Sequence, residues 1–352
     1  MKKLFPLLGL ITLLLIVGVA CQAPVDRAPD LDVSDISTAP FAVHFLDVGN
    51  ADAAVVTCAG QTLLIDGGNT GDSSLLVAYL KKLNIDRLDY VVCTHAHEDH
   101  AGGLAGPLNV YKAGKVFATD ITYDSVPYQS FLKAVARQGL DITVPTPGES
   151  FHLGNSTVQF IGPVIPNHDD LNESSIVLRV VFGETSFLFT GDAGYEAEHA
   201  MLEAGYELGS TVLKVGHHGS NSSTSYVFLR EVLPAYAVIS VGADNPYGHP
   251  SEQVLSRLRD AGTAVYRTDL QGDVIAVSDG HKVTFRTGKN ANIKTNPTEK
   301  QPESGTYIGN INSKVFHLPS CANLPSEKNR IYFAGRREAL AAGYTSCGNC
   351  KP

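Results

Sequence analysis

Thr94-His95-Ala96-His97-Glu98-Asp99-His100 packs three imidazoles and two carboxylates into the six positions from His95 to His100. Few structural needs gather so many metal-liking side chains in one place. His95 and His97 alternate on an extended turn, so both rings can reach one ion, while Asp99 and His100 can turn toward a second. Imidazole with carboxylate suits zinc or manganese better than a soft metal. The preceding run Leu88 to Cys93 (LDYVVC) reads as a buried strand, and Ala101-Gly102-Gly103-Leu104 opens a helix. The ligands therefore fall at the carboxyl end of a strand, where open α/β sheets keep their chemistry.

Outward from this segment, residues 41–287 alternate short apolar strands with amphipathic stretches and Gly-rich turns, an α/β pattern. Strands are expected at Ala42 to Leu46, Ala53 to Thr57, Thr62 to Ile65, Tyr90 to Cys93, Ile176 to Val181, Ser186 to Phe189, Val212 to Val215 and Ala237 to Val241. Three more follow at Ala264 to Arg267, Asp273 to Val277 and Lys282 to Phe285. Helices are expected at Ser73 to Leu83, Tyr128 to Gln138, Gly194 to Glu203, Ser225 to Val232 and Glu252 to Ala261, where apolar residues recur three and four apart. Hairpin-like pairs, such as Ala53 to Ile65 around Gly60, imply mixed sheets. Residues 288–306 (GKNANIKTNPTEKQPESGT) are polar and without apolar periodicity, which reads as a linker before a small module at 307–352.

The 352 residues, 43% of them apolar, suffice for one large core and a small appendage, which excludes a disordered chain. Residues 1–20 begin with Lys2-Lys3 and continue without charge to small residues before Cys21, the form of an export signal. With Cys21 acylated, residues 21–40 form a tether and the protein is a lipoprotein on the outer face of a bacterial membrane; plain secretion is the other outcome. Such an anchor is peripheral, not spanning. The net charge of −9 becomes −11 once Lys2 and Lys3 leave with the signal, so any nucleic-acid footprint must be local. Cys58 and Cys93 lie in apolar strand-like runs and read as small buried hydrophobes, with a disulfide as the alternative outside the cytoplasm.

Further segments join the histidine cluster. They are Phe45-Leu46-Asp47-Val48-Gly49-Asn50-Ala51-Asp52-Ala53, Leu64-Ile65-Asp66-Gly67-Gly68, Phe189-Thr190-Gly191-Asp192-Ala193, Leu213-Lys214-Val215-Gly216-His217-His218-Gly219-Ser220 and Tyr247-Gly248-His249-Pro250-Ser251. Together they resemble the metallo-β-lactamase superfamily, specifically the extracytoplasmic hydrolase domain of ComEC competence proteins. The resemblance implies an αββα sandwich of two mixed sheets with a dinuclear metal cleft at the sheet edge. It assigns His95 and His97 to the first ion, Asp99 with His100 to the second, and Asp192 as the bridge. A carboxylate between two divalent ions holds them where a shared water is deprotonated near neutral pH, and Asp99 can orient that water and take its proton. Asp66, before two glycines, holds the ligand loop by accepting backbone N–H bonds.

Lactamase and glyoxalase members place a further histidine between the cluster and the bridging aspartate. The ComEC branch has an Asn/Ser segment there, matched by Asn172-Glu173-Ser174-Ser175, and His168 is the nearby substitute. His217, His218 and His249 compete for two roles: one of the first two ligates, and His249 or His218 protonates the leaving group. Gly219-Ser220 and Ser222-Ser223-Thr224 offer donors to phosphate oxygens or cap a helix. Lys214 points to solvent or to phosphate.

In the module, His317-Leu318-Pro319-Ser320-Cys321 and Cys347-Gly348-Asn349-Cys350 carry a zinc spacing. The segment resembles the metal-binding domain of Ada-type DNA repair proteins with His317 in place of the first cysteine; a disulfide among the cysteines is the alternative to structural zinc. Lys314, Lys328, Arg330, Arg336, Arg337 and Lys351 against Glu327 and Glu338 leave this module at +4, the best local candidate for a DNA-backbone contact. The expectation is thus an exported hydrolase using two divalent ions, a phosphodiesterase or nuclease acting on extracellular DNA, with the membrane reached through Cys21 and no protein partner. The alternatives are hydrolysis of another ester, thioester or lactam, and a DNA-capture lipoprotein with little turnover.

Overall fold

A computed structural model describes residues 39–121, 123–167, 169–297, 307–319, 321–333 and 336–350. The leader at 1–20, the Cys21 anchor, the tether through residue 38 and His168 lie outside the described residues. The first half runs β1 (Phe41–Phe45), β2 (Ala54–Cys58), β3 (Gln61–Ile65), α1 (Ser73–Lys82), β4 (Arg87–Val92), α2 (Glu98–Ala101), α3 (Ala105–Val110), β5 (Lys112–Phe117), α4 (Val126–Arg137) and β6 (Ile142–Thr143). The second runs β7 (Ser150–Leu153), β8 (Ser156–Gly162), β9 (Val177–Phe182), β10 (Thr185–Phe189), α5 (Tyr195–Ala204), β11 (Val212–Lys214), α6 (Tyr226–Val232), β12 (Tyr236–Ile239), α7 (Glu252–Asp260), β13 (Ala264–Arg267), α8 (Thr268–Gln271), β14 (Val274–Ser278) and β15 (Val283–Thr287).

Two sheets form, in the orders β15-β14-β1-β2-β3-β4-β5-β6 and β13-β12-β11-β10-β9-β8-β7. Each is antiparallel on one side and parallel on the other, with β3 to β6 and β10 to β13 as the parallel runs. Alternation of side chains along the strands explains how the layers stack. Leu63 and Ile65 face the core between the sheets with Phe187 and Phe189, whereas Leu64 joins Leu76, Leu108 and Phe131 beneath the helices of the first half. Leu188 between the two phenylalanines faces Met201, Phe228 and Leu258 on the far side. Strands buried on both faces read as nearly continuous apolar runs, and the result is an αββα sandwich.

Phe45 ends β1, Phe189 ends β10, and their rings stack at 5.8 Å across the inter-sheet core. That stack aligns the carboxyl ends of both sheets, so the loops leaving β1, β3, β4, β10, β11 and β12 share one edge. Ala59 and Gly60, at φ 48° and 80°, close the β2–β3 hairpin that delivers Asp66 to that edge.

Several expectations need correction. The helix after the histidine motif begins at Glu98, so Asp99 and His100 stand on its own single turn and the glycines follow it. Strands β5 to β8 were not foreseen: in β5 only Val116 and Phe117 are buried, so it carries no alternating signal. Residues 288–297 are not free linker. Thr295 is buried with its hydroxyl on Val265 O, and Asn296 donates to Leu255 O at 3.0 Å. Cys58 packs between the sheets and Cys93 beneath the helices, and both are free thiols.

The C-terminal module has its own sheet, β18-β16-β17-β19, from β16 (Tyr307–Asn310), β17 (Val315–His317), β18 (Arg330–Phe333) and β19 (Thr345–Ser346), with α9 (Arg336–Ala341). Its core is little more than Tyr307, Phe316, Phe333, Ala339 and Tyr344. Such a core needs a further crosslink to hold. Among the described residues no helix is long and apolar enough to cross a membrane.

Candidate metal centre

Asp192 follows β10 and is 2% exposed, and its two carboxylate oxygens serve two separate groups of imidazoles. Oδ1 lies 3.3 Å from His100 Nε2 and 3.6 Å from His218 Nε2. Oδ2 lies 3.7 Å from His217 Nε2 and 4.0 Å from His95 Nε2, whose ring is 3.0 Å from His97 Nδ1. Asp99 Oδ2 completes the first group at 3.4 Å from His218 Nε2. Asp99, His100, Asp192 and His218 each offer a ligand atom within 4.8 Å of the others.

Both ligand rings of that group are aimed by what stands behind them. His100 Nδ1 meets Asp66 Oδ2 at 2.9 Å and His218 Nδ1 meets Ser240 O at 3.0 Å, so Nδ1 of each ring is held from behind and Nε2 faces inward. His100 Nε2, His218 Nε2 and Asp192 Oδ1 are buried without a hydrogen-bond partner among the described residues. Buried polar atoms are rarely left so, and three converging ones fit a cation with nitrogen and oxygen ligands. Electrostatics agree. Burial alone would push His100 and His218 down, but Asp192 beside both, with Asp66 and Asp52, lifts His100 well above the usual imidazole range and His218 to about 10. The pocket's carboxylates demand positive charge.

Backbone strain marks the same residues. His217 and His218 sit at φ 48° and 51°, and Asp66 at 57°, in the left-handed region that costs a side-chain-bearing residue about 1–3 kcal/mol. Asp66 is reached through glycines: a Cβ on Gly103 would lie 1.9 Å from Gly67 O, and one on Gly67 would lie 2.5 Å from Leu104 N. The two loops therefore touch backbone to backbone, with Gly67 N donating to His100 O at 2.7 Å. Asp66 then accepts from Thr94 N and Thr94 Oγ1, both at 2.7 Å, and locks the histidine loop.

The remaining candidates separate clearly. His218 is 1% exposed, with Nδ1 on Ser240 O and Nε2 turned toward Asp99 and Asp192, which puts it among the candidate ligands and away from the pocket mouth. His217 is partly open, with Nδ1 3.3 Å from Ser222 Oγ. His249 stands at the rim, its ring centre 5.8 Å from that of His217 and stacked by Tyr247. Burial, together with His217 and His218, lowers His249 to about 4, so the ring is neutral at ordinary pH and enters as a hydrogen-bonding group, not a charged acid. In the Asn172–Ser175 segment, Ser175 Oγ accepts from Asp192 N at 3.1 Å and lies 3.4 Å from His95 Nδ1, supporting both without ligating. Ser223 and Thr224 are buried and bonded to Gly216, and Ser225 caps α6, so these are structural and not phosphate donors. Lys214 does not reach solvent: it is 4% exposed and pairs with Asp52 at 2.7 Å. Asp52, beside His218, and Tyr123, whose ring lies edge-on to His97 at 5.9 Å, join the site only through the fold, and nothing in the local sequence gives either a place there.

In the module, His317, Cys321, Cys347 and Cys350 bring four ligand atoms within 4.8 Å, with His317 Nδ1 3.4 Å from Cys321 Sγ. All three thiols are free. One imidazole and three sulfurs match a closed zinc site.

Comparison with known proteins covers both parts of the chain. Residues 296–352 match the metal binding domain of Ada. ComE operon protein 3 of Bacillus subtilis is 29% identical over 250 residues, 66% of this chain and 32% of that protein. Competence protein ComA of Neisseria gonorrhoeae is 34% identical over 233 residues, 66% of this chain and 31% of that one. The chain thus spans about a third of the length of these curated relatives. The metallo-beta-lactamase fold protein YhfI of Bacillus subtilis superposes with a TM-score of 0.46 at 12% identity, covering 70% of this chain and all of that one. The model of the metallo-beta-lactamase superfamily matches residues 46–243, more than half of a chain that carries the histidine-aspartate pocket on an αββα frame, and the chain belongs to that superfamily.

Proposed function

We propose that this protein is an exported, metal-dependent phosphodiesterase that cleaves nucleic acid outside the cytoplasm, with DNA as its substrate. One observation carries the reading: Asp192 divides its oxygens between His95 and His217 on one side and His100 and His218 on the other. Two divalent ions, zinc foremost, held by those groups would supply a deprotonated water and neutralise a phosphoryl oxygen. The chain's own residues do the rest. Asp99, partly open at the pocket mouth, orients the attacking water and takes its proton, and His249 hydrogen-bonds the leaving side. Asp66 and Ser240 keep the ligand rings fixed, so little reorganisation accompanies the reaction.

Three features favour nucleic acid over other esters. One relative, ComA of Neisseria gonorrhoeae, is a competence protein by name. The module at 307–352 is basic on an acidic chain. Tyr247, 70% exposed, and Tyr123, 37% exposed, flank the pocket through His249 and His97, as base-stacking platforms would. The uncharged leader ending at Cys21 supports an export route and a lipoprotein anchor on the outer face of the cell membrane.

The test is an assay of residues 22–352 with single- and double-stranded DNA, bis(p-nitrophenyl) phosphate and a chromogenic lactam, each with zinc, manganese or chelator. Metal-dependent cleavage of DNA and of the small diester is expected. Turnover of the lactam alone sinks the proposal.

A further inference from the structure

Behind His218 lies a buried ion pair that the proposed chemistry does not use. Asp52, 6% exposed on the loop between β1 and β2, places Oδ2 2.7 Å from Lys214 Nζ and Oδ1 3.3 Å from His218 Nδ1. Lys214 also donates to Val215 O at 2.8 Å. Asp52 cannot drift, because its N–H donates to Asp99 O at 3.0 Å and its carbonyl accepts from Gly68 N at 2.7 Å. One residue therefore ties the β1–β2 loop, the Asp66 loop, the histidine loop and the second sheet together. The His218 Nδ1 hydrogen bond goes to the neutral Ser240 carbonyl at 3.0 Å, while Asp52 Oδ1, 3.3 Å from the same nitrogen, is buried without a hydrogen-bond partner among the described residues.

We propose that Lys214 and Asp52 form a charge governor for the metal position that His218 serves, with Lys214 holding back the carboxylate that would otherwise strengthen His218 as a ligand. A carboxylate on the outer nitrogen of a ligand imidazole raises its donor strength, and a lysine on that carboxylate draws the charge away again. The arrangement sets affinity between two extremes: high enough to keep the ion, low enough to leave it an effective Lewis acid. Both residues are positioning residues. The inference rests on the reading that the pocket binds two ions.

Because the pair is opposed, its two members have effects of opposite sign. Asp52→Asn weakens binding of the His218-side ion by about 10–100-fold, the usual loss when a group behind a ligand is removed. Lys214→Met releases the carboxylate onto His218 and tightens binding, by on the order of tenfold. A merely structural ion pair would give loss in both. Competitive chelator titration of the second metal equivalent measures the sign, and the visible absorption of the cobalt-loaded protein reports the ligand field, shifting to opposite sides of wild type. Circular dichroism checks the fold. If Lys214→Met does not fold, the double variant Asp52→Asn/Lys214→Met replaces it: with the carboxylate gone, removing Lys214 changes affinity by less than about threefold. Two equivalents in wild type with both single variants weakened, or a further large loss in the double variant, overturns the governor. Wild type that takes up no metal overturns the reading of the pocket itself.

Discussion

His100 turns Nδ1 to Asp66 Oδ2 at 2.9 Å while its other nitrogen faces Asp192 Oδ1 at 3.3 Å, so an apolar-looking strand end and a distant Gly-Asp turn meet through one ring. Asp66 also accepts two bonds from Thr94. Asp66→Asn keeps the volume but replaces an acceptor oxygen with a donor against His100. Metal affinity should fall about 10–100-fold, read by chelator competition. Stability should fall by about 1–3 kcal/mol in urea, since a buried donor loses its partner. Unchanged affinity would show that His100 does not depend on Asp66 for its orientation.

Asp192 stands between the two imidazole groups, and no other described carboxylate is within 4.0 Å of both His95 and His100. Asp192→Asn should reduce bound metal below two equivalents by elemental analysis and cut diester hydrolysis by at least about 10²-fold. A variant that keeps both ions and full turnover would remove the bridge from the mechanism.

The motif His95 to His100 points to the chemistry by itself, whereas Asp66, Asp192, His217 and His218 join it in the sequence only through the family resemblance of their segments. What a linear reading could not give was direction. Lys214 sits in a strand where solvent was the natural guess, and only the partner carboxylate of Asp52, far away in sequence, makes its burial tolerable. His217 and His218 look interchangeable until the left-handed backbone turns one ring inward against Ser240 and leaves the other toward Ser222. Thr224 and Ser225 carry hydroxyls equally suited to phosphate or to a cap, and packing against Gly216 and Phe228 decided for structure.

His44 on β1 is buried, 2.9 Å from the Tyr79 hydroxyl, and burial lowers it from 6.5 to about 4. A base held below its unfolded value binds fewer protons in the native state. Its neutral form therefore costs nothing above pH 6.5, and stability is lost as pH falls from 6.5 toward 4. The full difference is about 3 kcal/mol. Urea midpoints of wild type should drop over that window, and His44→Gln should flatten the drop; parallel pH curves for the two proteins would contradict it.

Tyr123 lies edge-on to His97 at 5.9 Å and Tyr247 stacks on His249 at 5.6 Å. A base stacked on either would steer the adjoining phosphate between them. Each Tyr→Ala change should raise KM for single-stranded DNA by roughly 5–150-fold, as expected for about 1–3 kcal/mol of stacking per base. Tyr→Phe should restore it, and bis(p-nitrophenyl) phosphate turnover should stay within about twofold because that substrate has no base to stack. Equal losses on both substrates would mean that the tyrosines support the metal ligands instead.

The module's aromatic core is too small to hold its four-stranded sheet alone, and His317, Cys321, Cys347 and Cys350 close around a common point. Metal binding and folding are then one event, since the ligands are brought together only in the folded state. Cys347→Ser should release one zinc equivalent, melt the module's sheet and expose 307–350 to proteolysis, while the diester hydrolysis proposed for residues 41–287 keeps its rate. Binding of long DNA at low salt should weaken and its salt slope flatten, because unfolding spreads the module's net charge of +4 over a longer chain. If the variant retains the zinc and the protease resistance of wild type, the ligand set is wrong; if it loses both and DNA binding is untouched, the module's charge serves solubility alone.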